Sequence, residues 1–479
     1  MKFTTPIVIG LEIHLQLATK TKLFCSCPCQ PEKKTTNSDN KENPNTRTCP
    51  ICLGHPGSKP VFNKKVLEFS TKLALALNCN ISKNLIFSRK SYFYPDLAKN
   101  YQITQYELPL GENGFLQLPN GKKIGITRVH IEEDPASLIH QGSIDTSSFT
   151  LVDYNRSGNP LCEIVTEPDI QSPEEARDFL NALIAIVKYL NIFNSENCIV
   201  KADANISIKE SGYVRSEVKN ISGFKEIERA LFYEVDRQKN AFEKKEAFVQ
   251  DTRAWDSNKG LTFRMRTKET EADYGYILDP DLVAIPLTDE YINKIKSKLP
   301  ELPFEKSKKF VNDFKINKED AHILAQEKSL AELFEKVATQ VDPILAAKWL
   351  RHELNKVLNL QNKSLEEIKT DETQIIELLT LVQEKKITDL TGREILEKLI
   401  ESPFSPTEYV KEHNLESVSD ESLIREICEE AIKENPKAIQ DFKDGNKKAI
   451  NSIIGKVMKA TKGQASPSKV NEVMEELTK

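Results

Sequence analysis

The sequence predicts an α+β chain: a large antiparallel-sheet domain over residues 1–293, a helical domain over 294–404, and a small all-helical tail over 405–479. Three observations carry that reading. Up to about residue 290, apolar and polar residues alternate with a period of two between turn-forming clusters, the pattern of strands with one buried face. Beyond Pro300 the chain becomes rich in Leu, Ile, Lys and Glu at helical spacing, with few glycines. Ser402-Pro-Phe-Ser-Pro406 then interrupts the helical pattern, since each proline removes a backbone donor and restricts the residue before it.

The elements follow in order. In Gly10 to Leu17, Leu11, Ile13, Leu15 and Leu17 face one way while Glu12, His14 and Gln16 face the other. Lys33 to Asn45 is a polar loop, and Asn120-Gly121 between alternating segments is a hairpin turn. Pro173 to Leu190 is a helix behind Ser172 as N-cap. Lys201 to Ile208 sets Lys201, Asp203, Asn205 and Ser207 opposite Ala202, Ala204, Ile206 and Ile208, and Arg215 to Lys219 presents Arg215, Glu217 and Lys219 together. Gln374 to Glu384 is helical. Past the proline break, segments beginning near Asp420 and Pro436, then Asn446 to Thr461, then Ser466-Pro467 onward, form four short helices punctuated by Gly445 and Gly463.

The bulk numbers narrow the function class. A mean hydropathy of −0.46 and the lack of any apolar run of roughly 20 residues argue against a membrane span. The opening MKFTTPIVIGLEIHLQL alternates like a strand and lacks the apolar core of a secretory signal, so the chain reads as cytoplasmic. Lys+Arg (67) and Asp+Glu (72) nearly balance to a net charge of −5, so a nucleic-acid surface must be local.

Cys25-Ser-Cys27 and Cys49-Pro-Ile-Cys52 are two close pairs separated by a polar loop, the arithmetic of a four-thiolate zinc site. Cys29 is an alternative to either member of the first pair. Such a site is closed, so its role is structural. Reduced surface thiols are the bland alternative.

Arg128-Val-His130-Ile-Glu132-Glu133-Asp134 and Leu161-Cys-Glu163-Ile-Val-Thr-Glu167 are unusually acidic for strand-like segments. If these strands share a sheet, their polar faces converge on one cavity. Carboxylates with a histidine suit a divalent cation, and Lys or Arg alongside suits phosphate, together describing a magnesium-nucleotide site. The competing reading is a polar face that meets water. No G-x-x-x-x-G-K-[ST] loop, G-x-G-x-x-G fingerprint or H-E-x-x-H helix is present, so standard nucleotide folds are not supported.

Gly10-Leu-Glu-Ile-His14, Asn45-Thr-Arg-Thr-Cys-Pro-Ile-Cys-Leu-Gly54, Arg89-Lys-Ser-Tyr-Phe-Tyr-Pro95, Tyr101-Gln-Ile-Thr-Gln105 and Ile131-Glu-Glu-Asp134, taken together, resemble the amidotransferase B-subunit family. The resemblance continues through Asp153-Tyr-Asn-Arg156, Glu163-Ile-Val-Thr-Glu-Pro-Asp169, Asp203-Ala-Asn205, Lys219-Asn220, Gln250-Asp-Thr-Arg253, Asp279-Pro-Asp281 and Val457-Met-Lys-Ala-Thr-Lys-Gly463, and so covers essentially the whole chain. Gly275 and Ile277 stand where the family commonly shows Arg and Phe, and Ser222-Gly223 where Asn-Ser is usual.

The resemblance implies a cradle-shaped catalytic first domain carrying kinase and transamidase chemistry, in a heterotrimer with an amidase-type A subunit and a small C subunit. The implied reaction activates the carboxylate of Glu-tRNA(Gln), Asp-tRNA(Asn) or both with ATP, then amidates it with ammonia from glutamine hydrolysed by the A subunit. This makes the chain part of a ligase forming carbon-nitrogen bonds. It implies catalytic roles for Glu12, His14, Glu132, Glu133 and Asp203, magnesium at Glu12, His14 and Glu133, and ATP contacts at Lys219 and Arg253, beside the structural zinc that spacing predicts at Cys25, Cys27, Cys49 and Cys52. The chain itself shows no Ser/Lys amidase signature, in keeping with glutamine hydrolysis elsewhere.

Gly445 to Lys469 carries six lysines and no acidic residue, while Ile450, Ile453, Ile454 and Val457 form an apolar face. A basic face on a small helical domain suits a phosphate backbone, and with the resemblance it marks Lys456, Lys459 and Lys462 as tRNA contacts. The competing function class is a non-catalytic, zinc-containing tRNA-binding scaffold, which explains the cysteines and the tail but not the acidic strand faces.

Overall fold

The structure is a computed structural model that describes residues 6–31, 42–140, 148–194, 198–221, 223–267, 274–417, 421–436, 450–461, 465 and 467–478. The chain divides into two compact units, 1–303 and 304–479.

The first unit is built on a nine-stranded sheet. Across it the strands run Leu261–Thr267, Asp251–Asp256, Ser216–Ile221, Val200–Ile208, Ile7–Gln16, Pro160–Thr166, Lys123–Glu133, Gly111–Gln117 and Asn80–Ile81. The expected antiparallel pairing holds except at one place: Ser216–Ile221 runs parallel to Asp251–Asp256. A parallel pair needs a long crossover, and a helix supplies it here. Gly121, at φ +89°, sits in the Asn120-Gly121 turn between Gly111–Gln117 and Lys123–Glu133.

One face of this sheet is the core. Ile9, Leu11, Ile13 and Leu15 from the central strand are at most 1% exposed, packed with Val129, Ile131, Cys162, Ile164, Ala204 and Ile206 from its neighbours. Among the described residues the three longest helices of this unit are α1 (Lys64–Ala76), α2 (Pro173–Tyr189) and α3 (Phe224–Glu243), and each contributes apolar residues to the same core. Ser172 caps α2 as expected, its hydroxyl accepting from the Glu175 amide. Of the three only α2 is among the expected elements, although Ile227, Ala230, Leu231 and Val235 of α3 recur at helical spacing and are buried.

The second unit is helical. Its helices are stopped and started by side-chain caps such as the Asp371–Gln374 capping box at Glu372–Gln383. The break near Pro403 falls between helices Asp389–Glu401 and Pro406–Glu412. At the end of the chain, Glu421–Glu434, Ile450–Ala460 and Pro467–Thr478 close around Cys428, Val457, Val470, Val473 and Met474. The helix expected to begin near Pro436 lies largely outside the described residues.

Candidate active face and metal centre

Side-chain alternation places a row of polar groups on the sheet face opposite the core. With Ile13 and Leu15 turned inward, His14 and Glu12 turn outward. Strand register extends the row in both directions. His14 pairs with Glu163 on one side and Lys201 on the other, Glu163 pairs in turn with His130, and Glu12 pairs with Asp203. Same-face neighbours on paired strands are within side-chain reach.

The strongest convergence is at His14. Its Nε2 lies 3.3 Å from Glu132 Oε1 and 3.3 Å from Glu163 Oε2, and His130 Nε2 lies 3.3 Å from the same Glu163 oxygen. One ligand atom from each of His14, Glu132 and Glu163 falls within 4.8 Å of the other two. Burial alone would lower the His14 imidazole, but hydrogen bonds to Glu132 and Glu163 hold it well above its ordinary 6.5. Burial alone would raise the Glu163 carboxyl, but His130 and His14 hold it well below the usual carboxylate range.

Next along the face, Lys219 Nζ sits 2.9 Å from Asp203 Oδ2 and 3.3 Å from Glu217 Oε1. Asn205 Nδ2 donates to Glu12 Oε1 at 3.0 Å, and the Thr252 hydroxyl donates to Glu217 Oε2 at 2.9 Å. Burial works against the Lys219 charge, yet Asp203 and Glu217 outweigh it and raise its pKa. Beside the row, Asp134 meets Arg156 at 3.3 Å, and burial pushes its carboxyl up to about 6 despite that cation.

The structure thus brings Glu12, His14, Glu132, Asp203 and Lys219 onto one face. Two other expected site residues do not join them. Alternation turns Glu133 away from Glu132, and its carboxylate is held by Lys99 Nζ at 2.5 Å and the Ile103 amide at 2.8 Å. Of the three expected magnesium ligands, His14 lies with Glu132 and Glu163 in a group whose donor atoms could hold a metal ion, Glu12 stands on the same face two register pairs away, and Glu133 points elsewhere. Arg253 pairs in register with the buried Val218 on the helix-covered side of the sheet. Its guanidinium is occupied by Asp251 at 2.9 Å, the Thr262 hydroxyl at 2.8 Å and Glu234 of α3 at 3.6 Å. Glu163 and His130 are not among the expected site residues. The signal for both is the same period-two alternation that exposes Glu12 and His14.

The cysteines form a second, separate group. The sulfurs of Cys25, Cys27, Cys49 and Cys52 all lie within 4.8 Å of one another, with Cys49 and Cys52 3.9 Å apart. Zinc–sulfur bonds of about 2.3 Å in a tetrahedron place sulfurs about 3.8 Å apart, so this donor set fits zinc. Cys29 stays out of the group, its sulfur 3.6 Å from the Thr19 hydroxyl. The Cys49 amide donates to Cys52 Sγ at 3.1 Å, and Gly54 at φ +66° turns the chain behind it. A hydrogen bond with Cys25 lowers the Cys52 thiol to about 5, with the Lys22 ammonium acting in the same direction.

On the tail helix Ile450–Ala460, Lys456 and Lys459 are exposed while Val457 is buried, and Lys456 reaches Glu434 at 3.8 Å. Lys462 lies outside the described residues. Among the described residues, no helix is long and apolar enough to cross a membrane.

Comparison with known proteins places this geometry in a family. Residues 7–293 match the GatB/GatE catalytic domain and residues 332–477 the GatB domain. The chain is 43% identical over 481 residues to the B subunit of the aspartyl/glutamyl-tRNA(Asn/Gln) amidotransferase of Thermotoga petrophila, an alignment covering 98% of each chain. It is 42% identical over 480 residues to that of Clostridium tetani, again over 98% of each. With that of Carboxydothermus hydrogenoformans it shares 40% identity over 477 residues, 98% of this chain and 97% of the relative. This chain therefore belongs to the B-subunit family of the aspartyl/glutamyl-tRNA(Asn/Gln) amidotransferases.

Proposed function

We propose that this chain is the subunit that activates and amidates the mischarged residue on Glu-tRNA(Gln), Asp-tRNA(Asn) or both, alongside an amidase-type A subunit and a small C subunit. The observation that carries this reading is the convergence of His14, Glu132 and Glu163 beside the Asp203–Lys219 pair on one open sheet face.

The chemistry explains why such a face is needed. A carboxylate resists attack by ammonia because it has no leaving group. Its oxygen first attacks the γ-phosphorus of ATP and releases ADP. Ammonia then attacks the acyl carbon and phosphate departs, leaving the amide. Both steps concentrate negative charge, so fixed cations and a divalent metal are the expected catalysts.

The donor set of two carboxylate oxygens and one imidazole nitrogen fits a divalent cation, which would compete with a proton for the His14 nitrogen. Magnesium held there supplies positive charge against phosphate oxygens. His130 orients Glu163 from behind, as an outer partner of a ligand does. Asp203 and Lys219, with Glu12 nearby on the row, form the nucleotide side. Glu133 and Arg253 are left out of these contacts on placement. Zinc in the four cysteines holds the fold.

In the tail, Lys456, Lys459 and Lys462 would meet the tRNA backbone. Changing Lys456 and Lys459 to Gln in the full chain should lower the slope of log affinity against log salt by roughly 2. An unchanged slope would remove these lysines from the interface. A tRNA reaction also sits naturally in the cytoplasm.

The decisive test is co-expression with A and C subunits, followed by assay of ATP- and glutamine-dependent conversion of Glu-tRNA(Gln) and, in parallel, Asp-tRNA(Asn). Conversion with one ADP formed per amide supports the reading. A complex that assembles and hydrolyses glutamine, yet converts neither tRNA, would instead favour a non-catalytic scaffold.

A further inference from the structure

We propose that Lys22 is the built-in counter-charge of the cysteine centre, joining its two halves and setting how firmly it holds zinc. The Lys22 side chain is wholly buried, at 0% exposed, which is rare for lysine and demands an electrostatic reason. Its ammonium donates to Arg47 O at 2.7 Å and Tyr154 O at 3.4 Å, and faces Cys52 Sγ at 3.8 Å. Among the described residues no carboxylate pairs with it.

The neighbouring cation makes the contrast. Arg47 is equally inside this region, with its guanidinium on Pro28 O and Cys29 O, but Glu42 neutralises it at 2.5 Å. Lys22 has only carbonyl dipoles and sulfur. Four zinc-bound thiolates around a divalent ion leave two net negative charges, and in a buried site that excess needs a cation. Lys22 halves it.

Its position also spans the centre. The Lys22 amide donates to Cys27 O at 2.9 Å, so its backbone belongs to the first cysteine pair, while its ammonium reaches the Arg47–Cys52 segment that carries the second. Through Tyr154 O it also ties the centre to the turn that leads into Pro160–Thr166, the strand bearing Glu163. Lys22 is thus a positioning residue of the metal centre.

The inference rests on the cysteines holding zinc, and the test separates the two. The full chain and its Lys22→Met and Lys22→Arg variants are purified from zinc-supplemented cells, assayed for zinc content, and then challenged with a chromogenic chelator. Met keeps the length and apolar stem without charge, whereas Arg keeps the charge. The expected result is zinc release about tenfold or more faster in Lys22→Met, the range typical of lost outer partners, with Lys22→Arg closer to the unaltered chain. Equal release from Lys22→Met and the unaltered chain overturns the inference, as does an Arg variant that releases zinc, or fails to accumulate, as badly as the Met variant. An unaltered chain that carries no zinc overturns the zinc reading itself.

Discussion

The first unit holds two groups of potential metal ligands that differ in how they are made. The cysteine centre is assembled from two short spacings, its sulfurs crowd together, and Cys25 and Cys52 are 8% and 4% exposed. The polar face is assembled from strands remote in sequence, with His14, Glu132 and Glu163 meeting through register and His14 still 28% exposed. A closed set of four thiolates satisfies its metal completely and returns stability. An open set of three leaves coordination positions for a substrate and returns chemistry. On the proposed function the same unit would separate holding the fold from doing the reaction, and the two groups should then answer differently to the same perturbations.

The largest expected effect is on the closed centre. Removing zinc, or changing Cys49 and Cys52 to Ser together, should cost more than about 4 kcal/mol of stability, since a structural metal's binding energy is folding energy. Chemical denaturation of the full chain, zinc-loaded against zinc-stripped, measures this. Withholding magnesium should leave the same unfolding curve nearly unmoved. Equal shifts from both treatments would erase the contrast.

The complementary effect belongs to the open face. Glu163→Gln keeps the shape but loses one ligand charge and its link to His130, and tRNA-dependent ADP formation should fall by about 10²–10³. The unfolding midpoint should fall as well, because the charge that His14 and His130 stabilise is lost, but the loss of activity should persist in the folded fraction. A variant that unfolds much more easily while its folded fraction remains fully active would make Glu163 a structural residue.

How legible each group was follows from how it is built. The two cysteines of each pair lie within three residues of each other, so spacing alone picks out the four sulfurs that the fold brings together, and only the exclusion of Cys29 from that group depends on the fold. The strands were equally visible, because alternation at Glu12, His14 and Asp203 depends on the local period of two. What spacing does not contain is register. That Glu163 rather than Glu133 joins His14 depends on which residue of Pro160–Thr166 stands beside the central strand and on the parity of Glu132 and Glu133. Arg253 shows the same limit, since its parity places it with Val218 on the buried side. The parallel pair Ser216–Ile221 with Asp251–Asp256 escapes the strand pattern for a related reason: it depends on α3 serving as a crossover, and α3 is not among the expected helices.

A smaller effect tests whether the open face is strained by its own charges. Lys219→Met leaves Asp203 and Glu217 facing each other without their cation, and should cost about 2 kcal/mol, below the loss of a fully buried pair because the lysine is partly exposed. Millimolar magnesium should recover part of that stability if the face accepts cations, and none if it does not. In the closed centre magnesium should do nothing, because thiolates prefer softer ions.

The subtlest test is the sign of the pH dependence in the metal-free chain. His14 has a folded pKa raised well above 6.5, so its proton stabilises the fold fully below about pH 6.5, and that contribution is lost as pH rises through the folded value. Cys52 has a folded pKa lowered from 9.0 to about 5, so its contribution is fully present above about pH 9 and is lost as pH falls through about 5. From pH 6.5 upward, until His14 loses its folded-state proton or pH 9 is reached, the two groups therefore push stability in opposite directions. Removing one should unmask the other: stability of a His14→Gln chain should rise more steeply with pH than that of the parent, and stability of a Cys52→Ser chain should rise less or fall. Denaturant midpoints at several pH values across that window read both slopes, and identical slopes in the parent and in either variant would show that the group removed does not titrate with folding.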